Sequence, residues 1–83
     1  MDGIRVYGAD WCHDTQNTLR HLQQLGLEFT YLNVDSDQQA KHWVRTHNDG
    51  KQRLPTLDIS GRVISVPDDR ELDRVLRDKG MVS

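Results

Sequence analysis

The alternation of extended and helical patterns along this chain predicts an α/β fold in the order β-α-β-α-β-β-α, a small four-stranded mixed sheet with helices packed on it. Three observations carry that prediction. A helical segment separates the first two strand-like runs, and such a crossover joins parallel neighbours. Only the two residues Ser60-Gly61 separate the third and fourth runs, a connection that makes an antiparallel hairpin. Leu, Ile, Val and Phe make up about a quarter of the chain, above the roughly 20% below which disorder is expected. The core is nonetheless modest, because a chain of 83 residues buries only about 60% of its unfolded surface.

Each element has a local reason. Ile4-Arg5-Val6-Tyr7 is a β-prone run closed by Gly8, which reads as the first strand. From Asp14 the pattern changes: Leu19, Leu22 and Leu25 recur at spacings of three and Gly26 follows as a stop, which predicts a helix. Glu28 to Val34 is rich in aromatic and β-branched residues and predicts a second strand. Asp35-Ser36-Asp37 supplies the cap of a second helix, in which Ala40, Trp43, Val44 and His47 share one face, and Asn48-Asp49-Gly50 ends it. Leu54 to Ile59 reads as a strand entered through Pro55, and Arg62 to Val66 as the strand after the turn. In the last helix Asp68 caps, Glu71 is placed as the reciprocal acid of a capping box, Leu72, Val75 and Leu76 form the buried stripe, and Gly80 ends it.

Composition narrows the function classes. The net charge of −2 argues against a nucleic-acid partner, which selects clustered Lys and Arg. No apolar run approaches 18 residues and no basic start precedes an apolar stretch, so neither a membrane span nor a secretory signal is expected. One cysteine excludes an internal disulfide. The expectation is a single domain over residues 1–83, monomeric and cytoplasmic. Four histidines (His13, His21, His42, His47) without zinc spacing predict no protein-only metal site.

The position of Cys12 is the sharpest chemical signal. It falls just after the first strand, where the first helix starts. First-turn amides there lack intrahelical partners and the helix dipole is positive, so a thiolate is favoured over a thiol. Trp11 shields one side of the sulfur and offers a flat apolar contact. His13, when protonated, helps the thiolate, Asp14 opposes it, and the Thr15 hydroxyl is placed to donate to the sulfur. The competing reading is a small buried hydrophobe, but Trp-Cys-His-Asp-Thr is mostly polar and lies off the leucine stripe.

Taken together, the strand Ile4–Tyr7, Cys12-x-x-Thr15, Leu54-Pro55-Thr56, Gly61, Ile64, Pro67 and Glu71-Leu72 resemble the glutaredoxin family of the thioredoxin-like superfamily, most of all its mycoredoxin-like branch. The resemblance implies a thioredoxin-like sheet with helices on both faces. It implies that Pro55, which from the residues alone is a strand-entry proline, is cis and faces Cys12. Leu54 then offers backbone hydrogen bonds to a peptide-like substrate, Arg53 meets a substrate carboxylate, and Asp68 and Asp69 hold the amino end of a glutathione-like ligand.

The departures are as informative. Thr15 stands where the family has its second cysteine, so a dithiol cycle is excluded by counting and a monothiol cycle remains, with a low-molecular-weight thiol as co-substrate and thiol-containing proteins as substrates. Ala9, next to Asp10, stands where many members carry lysine, and Ser65-Val66 replaces Gly-Gly. The alternatives are a non-catalytic binding module that keeps the fold, or a carrier that ligates an iron–sulfur cluster between two protomers.

Overall fold

The computed structural model describes residues 3–83. Its elements are β1 (Ile4–Gly8), α1 (His13–Gln24), β2 (Thr30–Asn33), α2 (Gln38–Thr46), β3 (Thr56–Ile59), β4 (Arg62–Ser65) and α3 (Asp69–Asp78). The strands lie in the order β2-β1-β3-β4. β1 runs parallel to β2, with Val6 opposite Tyr31, and antiparallel to β3, with Val6 opposite Leu57. β3 and β4 form the hairpin expected at Ser60-Gly61. Both turn residues have positive φ, 49° and 93°, which matches the right-handed strand twist and suits a glycine in the second place.

Strand alternation divides the core in two. Ile4 and Val6 face one side, where they meet Leu57, Ile59 and Ile64 of the sheet, Leu22 of α1 and Leu72, Val75 and Leu76 of α3. Tyr7 faces the other side, with Ala9, Val34, Leu54, and Ala40 and Val44 of α2. Thus α1 and α3 cover one face and α2 the other. Each fully buried leucine or valine in these layers contributes about 1.5–3 kcal/mol. On the α2 side Trp43 stacks on Tyr7 with ring centroids 4.0 Å apart and an interplanar angle of 11°.

The structure corrects several local expectations. Leu25 is the C-cap of α1 and is exposed, so the stripe that faces the sheet is Thr15, Thr18 and Leu22, with Leu19 partly buried at its side. β2 is shorter than the run that predicted it, because Glu28 and Phe29 lie outside the ladder. β3 begins at Thr56 and not at Leu54: the Leu54–Pro55 peptide is cis and proline has no N–H to give to a ladder. β4 ends at Ser65, because Val66 turns into the left-handed region with φ 47°. His47 is exposed, since α2 ends at Thr46 and His47 is its C-cap, its ring tilted against Trp43. Asp37 and Asp68 cap their helices through Ala40 N–H at 3.0 Å and Glu71 N–H at 2.8 Å. Among the described residues, Glu71 makes no return bond to the Asp68 amide, so the capping box is half formed.

Candidate active site

Cys12 is the N-cap of α1, with φ −80° and ψ 119°. Its N–H reaches back to the Ala9 carbonyl at 3.1 Å and its carbonyl accepts the Gln16 N–H at 3.0 Å. The side chain makes no cap bond. Instead the thiol donates to the Leu54 carbonyl at 3.7 Å. Cys12 is partly buried, its base packed on the Tyr7–Val44 layer, while the sulfur lies at the positive end of α1, where first-turn amides have no intrahelical acceptor. Leu54 and cis-Pro55 are both buried.

Thr15 does not donate to the sulfur. It is fully buried against the end of β1, and its Oγ1 is turned toward the Ala9 N–H at 3.5 Å. The reason is Gly8: a Cβ there would stand 2.4 Å from Thr15 Cγ2 and 2.5 Å from Oγ1. A residue without a side chain lets the first turn of α1 settle onto β1, and Thr15 fills the gap. Its part is to set where the helix starts, and with it where Cys12 stands.

The remaining predicted residues divide around the sulfur. Trp11 is 67% exposed yet held, its Nε1–H donating to Asp35 Oδ2 at 2.7 Å. His13 opens α1 and is exposed. Arg53 is exposed in the loop before Leu54 and makes no ion pair among the described residues. Asp68 is occupied by its cap, and Asp69 Oδ2 lies 3.7 Å from His21 Nδ1. His21 in turn meets Asp73 at 2.7 Å and ties α1 to α3. The structure therefore brings Leu54 against Cys12, with Pro55 and Trp11 as their chain neighbours, while Asp68 and Asp69 stand at the start of α3 and line a cleft with Asp14 and Arg20 of α1. Among the described residues no three His, Cys, Asp or Glu side chains are grouped to hold a metal ion.

Three supporting contacts were not legible in the sequence. Asp35, read with Ser36 and Asp37 as the cap of the second helix, anchors the Trp11 indole from 24 residues away. Asn48, read as a helix end, donates to the Val44 carbonyl at 2.7 Å and to Thr56 Oγ1 at 3.2 Å, and accepts from Ser65 Oγ at 2.6 Å. Thr56 passes the chain on to the Arg53 carbonyl at 2.7 Å, so this network fixes the loop that delivers Leu54. Asn48→Ala is expected to destabilise the protein by about 1–3 kcal/mol, because it strips partners from buried polar groups. Urea denaturation checks this, and an unchanged midpoint would remove the network from the account.

The third contact is Tyr31, whose hydroxyl donates to Asp10 Oδ1 at 2.8 Å. Burial, the bond to Asp10 and the charges of Asp10, Asp35 and Cys12 together hold its phenol well above the ordinary value. The β2 side of the sulfur is therefore acidic. A raised phenol contributes in full below the free phenol's pKa of about 10, and that contribution is lost as pH rises from there through the folded-state value. The absorbance difference at 295 nm (~295 nm is where phenolate absorbs) between wild type and Tyr31→Phe should stay flat through pH about 10, the free phenol's value. A midpoint at that value would contradict the contact.

A mixed sheet of this order, with a lone thiol capping the first helix beside a cis-proline, defines a thioredoxin-like thiol–disulfide protein. The family model described as Glutaredoxin matches residues 4–64. Mycoredoxin 1 of Corynebacterium glutamicum is 35% identical over 60 residues, covering 72% of this chain and 73% of that protein. Among solved structures, a thioredoxin-like protein aligns with a TM-score of 0.82 at 22% identity, over 93% of this chain and 97% of its own. The glutaredoxin of Archaeoglobus fulgidus aligns with a TM-score of 0.76 at 18% identity, over 93% and 88%. The chain belongs to the glutaredoxin family and is a glutaredoxin-like thiol–disulfide oxidoreductase with one cysteine.

Proposed function

We propose that this chain runs a monothiol cycle through Cys12, reducing mixed disulfides between proteins and a low-molecular-weight thiol, glutathione or a similar molecule. The observation that supports it best is a partly exposed single thiol at the N-terminus of α1, in contact with the carbonyl next to cis-Pro55. The Cys12 thiolate attacks the small-thiol sulfur of protein–S–S–R. The old S–S bond breaks, the protein sulfur leaves with the electron pair and takes up a proton, and Cys12–S–S–R forms. A second R–SH, as thiolate, attacks the R sulfur, giving R–S–S–R and regenerating Cys12. The sum is protein–S–S–R plus R–SH giving protein–SH plus R–S–S–R.

In this reading Cys12 is nucleophile and leaving group. Its proton leaves the contact with Leu54, freeing that carbonyl for the backbone of the bound disulfide. Trp11 and Pro55 wall the groove, His13 lines it from the first turn of α1, Arg53 supplies positive charge, and Asp68 and Asp69 face the amino end of the small thiol. Thr15 acts only by positioning the start of α1. The chain works as one domain and as a monomer in the reducing cytoplasm, with no resident cofactor.

Turnover of a glutathionylated peptide by the reduced protein, with intact mass recorded during the reaction, tests the proposal. Release of the peptide with one thiol adduct on Cys12 is the expected result. An adduct that is never discharged by glutathione would point to a different reducing thiol. Absence of any adduct would favour a binding module that keeps the fold.

A further inference from the structure

Two side chains of the loop between β1 and α1 are drawn to opposite neighbours of β1. The Asp10 carboxylate accepts the Tyr31 hydroxyl at 2.8 Å on β2, whereas the Cys12 thiol donates to the Leu54 carbonyl at 3.7 Å just ahead of β3. β1 lies between those two strands. Only Trp11 separates the pair in sequence, so the thiolate that does the chemistry forms two residues from a carboxylate. Without a tether the two negative groups could approach each other, and a like charge disfavours the ionised thiol.

Tyr31 is placed to be that tether. Its ring packs at the side of the apolar layer that α1 and α3 cover, so the hydroxyl stands on a fixed stem while its tip reaches the surface. The backbone of Asp10 is held as well, its carbonyl accepting the Gln16 side-chain N–H at 2.7 Å. Among the described residues no Lys, Arg or His forms an ion pair with the Asp10 carboxylate. Burial and the bond to Asp10, then the charges of Asp10, Asp35 and Cys12, raise the Tyr31 phenol, so both carboxylates and the sulfur lie in one electrostatic neighbourhood. Asp35 is tied in its turn, accepting the Trp11 indole N–H at 2.7 Å. The other charged or titratable groups beside the sulfur are His13 and Asp14 in the first turn of α1 and Arg53 ahead of Leu54.

We propose that Tyr31 is a positioning residue of the Cys12 site: its hydroxyl keeps the Asp10 carboxylate on the β2 side, so that the thiolate forms without a second negative charge against it. The inference rests on the reading of Cys12 as the reacting thiol. Its test is the rate of alkylation of Cys12 by iodoacetamide against pH at low salt, followed by intact mass. Wild type, Tyr31→Phe, Asp10→Asn and the double variant are compared. Tyr31→Phe keeps the packed ring and frees the carboxylate. Asp10→Asn keeps an acceptor for the phenol and removes the charge.

The midpoint of the Tyr31→Phe profile should rise by roughly 0.3–1 pH unit, about a two- to ten-fold loss of thiolate below it. That is the scale of a unit charge brought a few ångströms closer at a protein surface. The rise should shrink at high salt, which screens exposed charges. The double variant should return to the Asp10→Asn midpoint, itself no higher than that of wild type. An unchanged midpoint in Tyr31→Phe overturns the inference. So does a rise that survives in the double variant, which a loosened β2 would produce with no part for Asp10. Alkylation needs no disulfide, so the expected shifts in a protein that forms no mixed disulfide would sink the monothiol cycle and leave the role of Tyr31 standing. A Cys12 that is never alkylated would end both.

Discussion

Cys12→Ser is expected to reduce turnover of a glutathionylated peptide to the uncatalysed background, a loss on the order of 10³-fold or more, the scale on which removing the nucleophile acts in covalent catalysis. The chain holds no other thiol, and a serine hydroxyl is neither ionised near neutrality nor able to accept a sulfur in exchange. Stability should barely change. The sulfur is partly exposed, its one hydrogen bond is a long contact to the Leu54 carbonyl at 3.7 Å, and a serine hydroxyl can donate to the same oxygen. Parallel measurement of peptide release and of the thermal midpoint separates the two effects. Wild-type-like release by a folded serine variant would mean that the thiol is not the nucleophile.

Gly8→Ala should be among the most damaging single changes to the fold. The added Cβ would stand 2.4 Å from the Thr15 methyl and 2.5 Å from its hydroxyl, and Thr15 has no exposed surface into which to turn. Either α1 lifts from β1 or the strand end yields. Overpacking of this kind costs about 1–3 kcal/mol, which for a domain of this size lowers the thermal midpoint by roughly 4–8 °C per kcal/mol. Because Cys12 caps the start of α1, activity should fall with stability. Thr15→Ala in the Gly8→Ala background clears both close contacts and should recover part of the loss. Strictly additive effects in that double-mutant cycle would show that the two residues are not pressed together.

The order of elements was legible because its signals are local. Asp37 and Asp68 cap where a short acid precedes a helical pattern, Ser60-Gly61 turns where two positive φ values are needed, and a helix between two strands implies a parallel pair. Cys12 at the mouth of α1 was legible on the same basis. What escaped was set by partners distant in sequence. Nothing near Thr15 says that its hydroxyl faces inward; that follows from the missing side chain at Gly8, seven residues earlier on another element. Trp11 and Asp35 meet across 24 residues, and Ser65 and Asn48 across 17. Leu25 and His47 matched an apolar or helical spacing but fall on C-caps, where the face no longer points at the sheet.

The lone sulfur has a consequence for what this protein can sense. In a site with two cysteines, oxidation closes an internal disulfide and releases two molecules of small thiol, so the oxidised fraction depends on the square of thiol concentration over that of its disulfide. It therefore shifts when the whole pool is diluted at constant ratio. With Cys12 alone, one disulfide is consumed and one thiol released for each adduct formed. Concentration units cancel, and the adducted fraction follows the disulfide-to-thiol ratio whatever the size of the pool. Under the proposed monothiol cycle, the missing second cysteine thus leaves a ratiometer, indifferent to how much small thiol the cell holds.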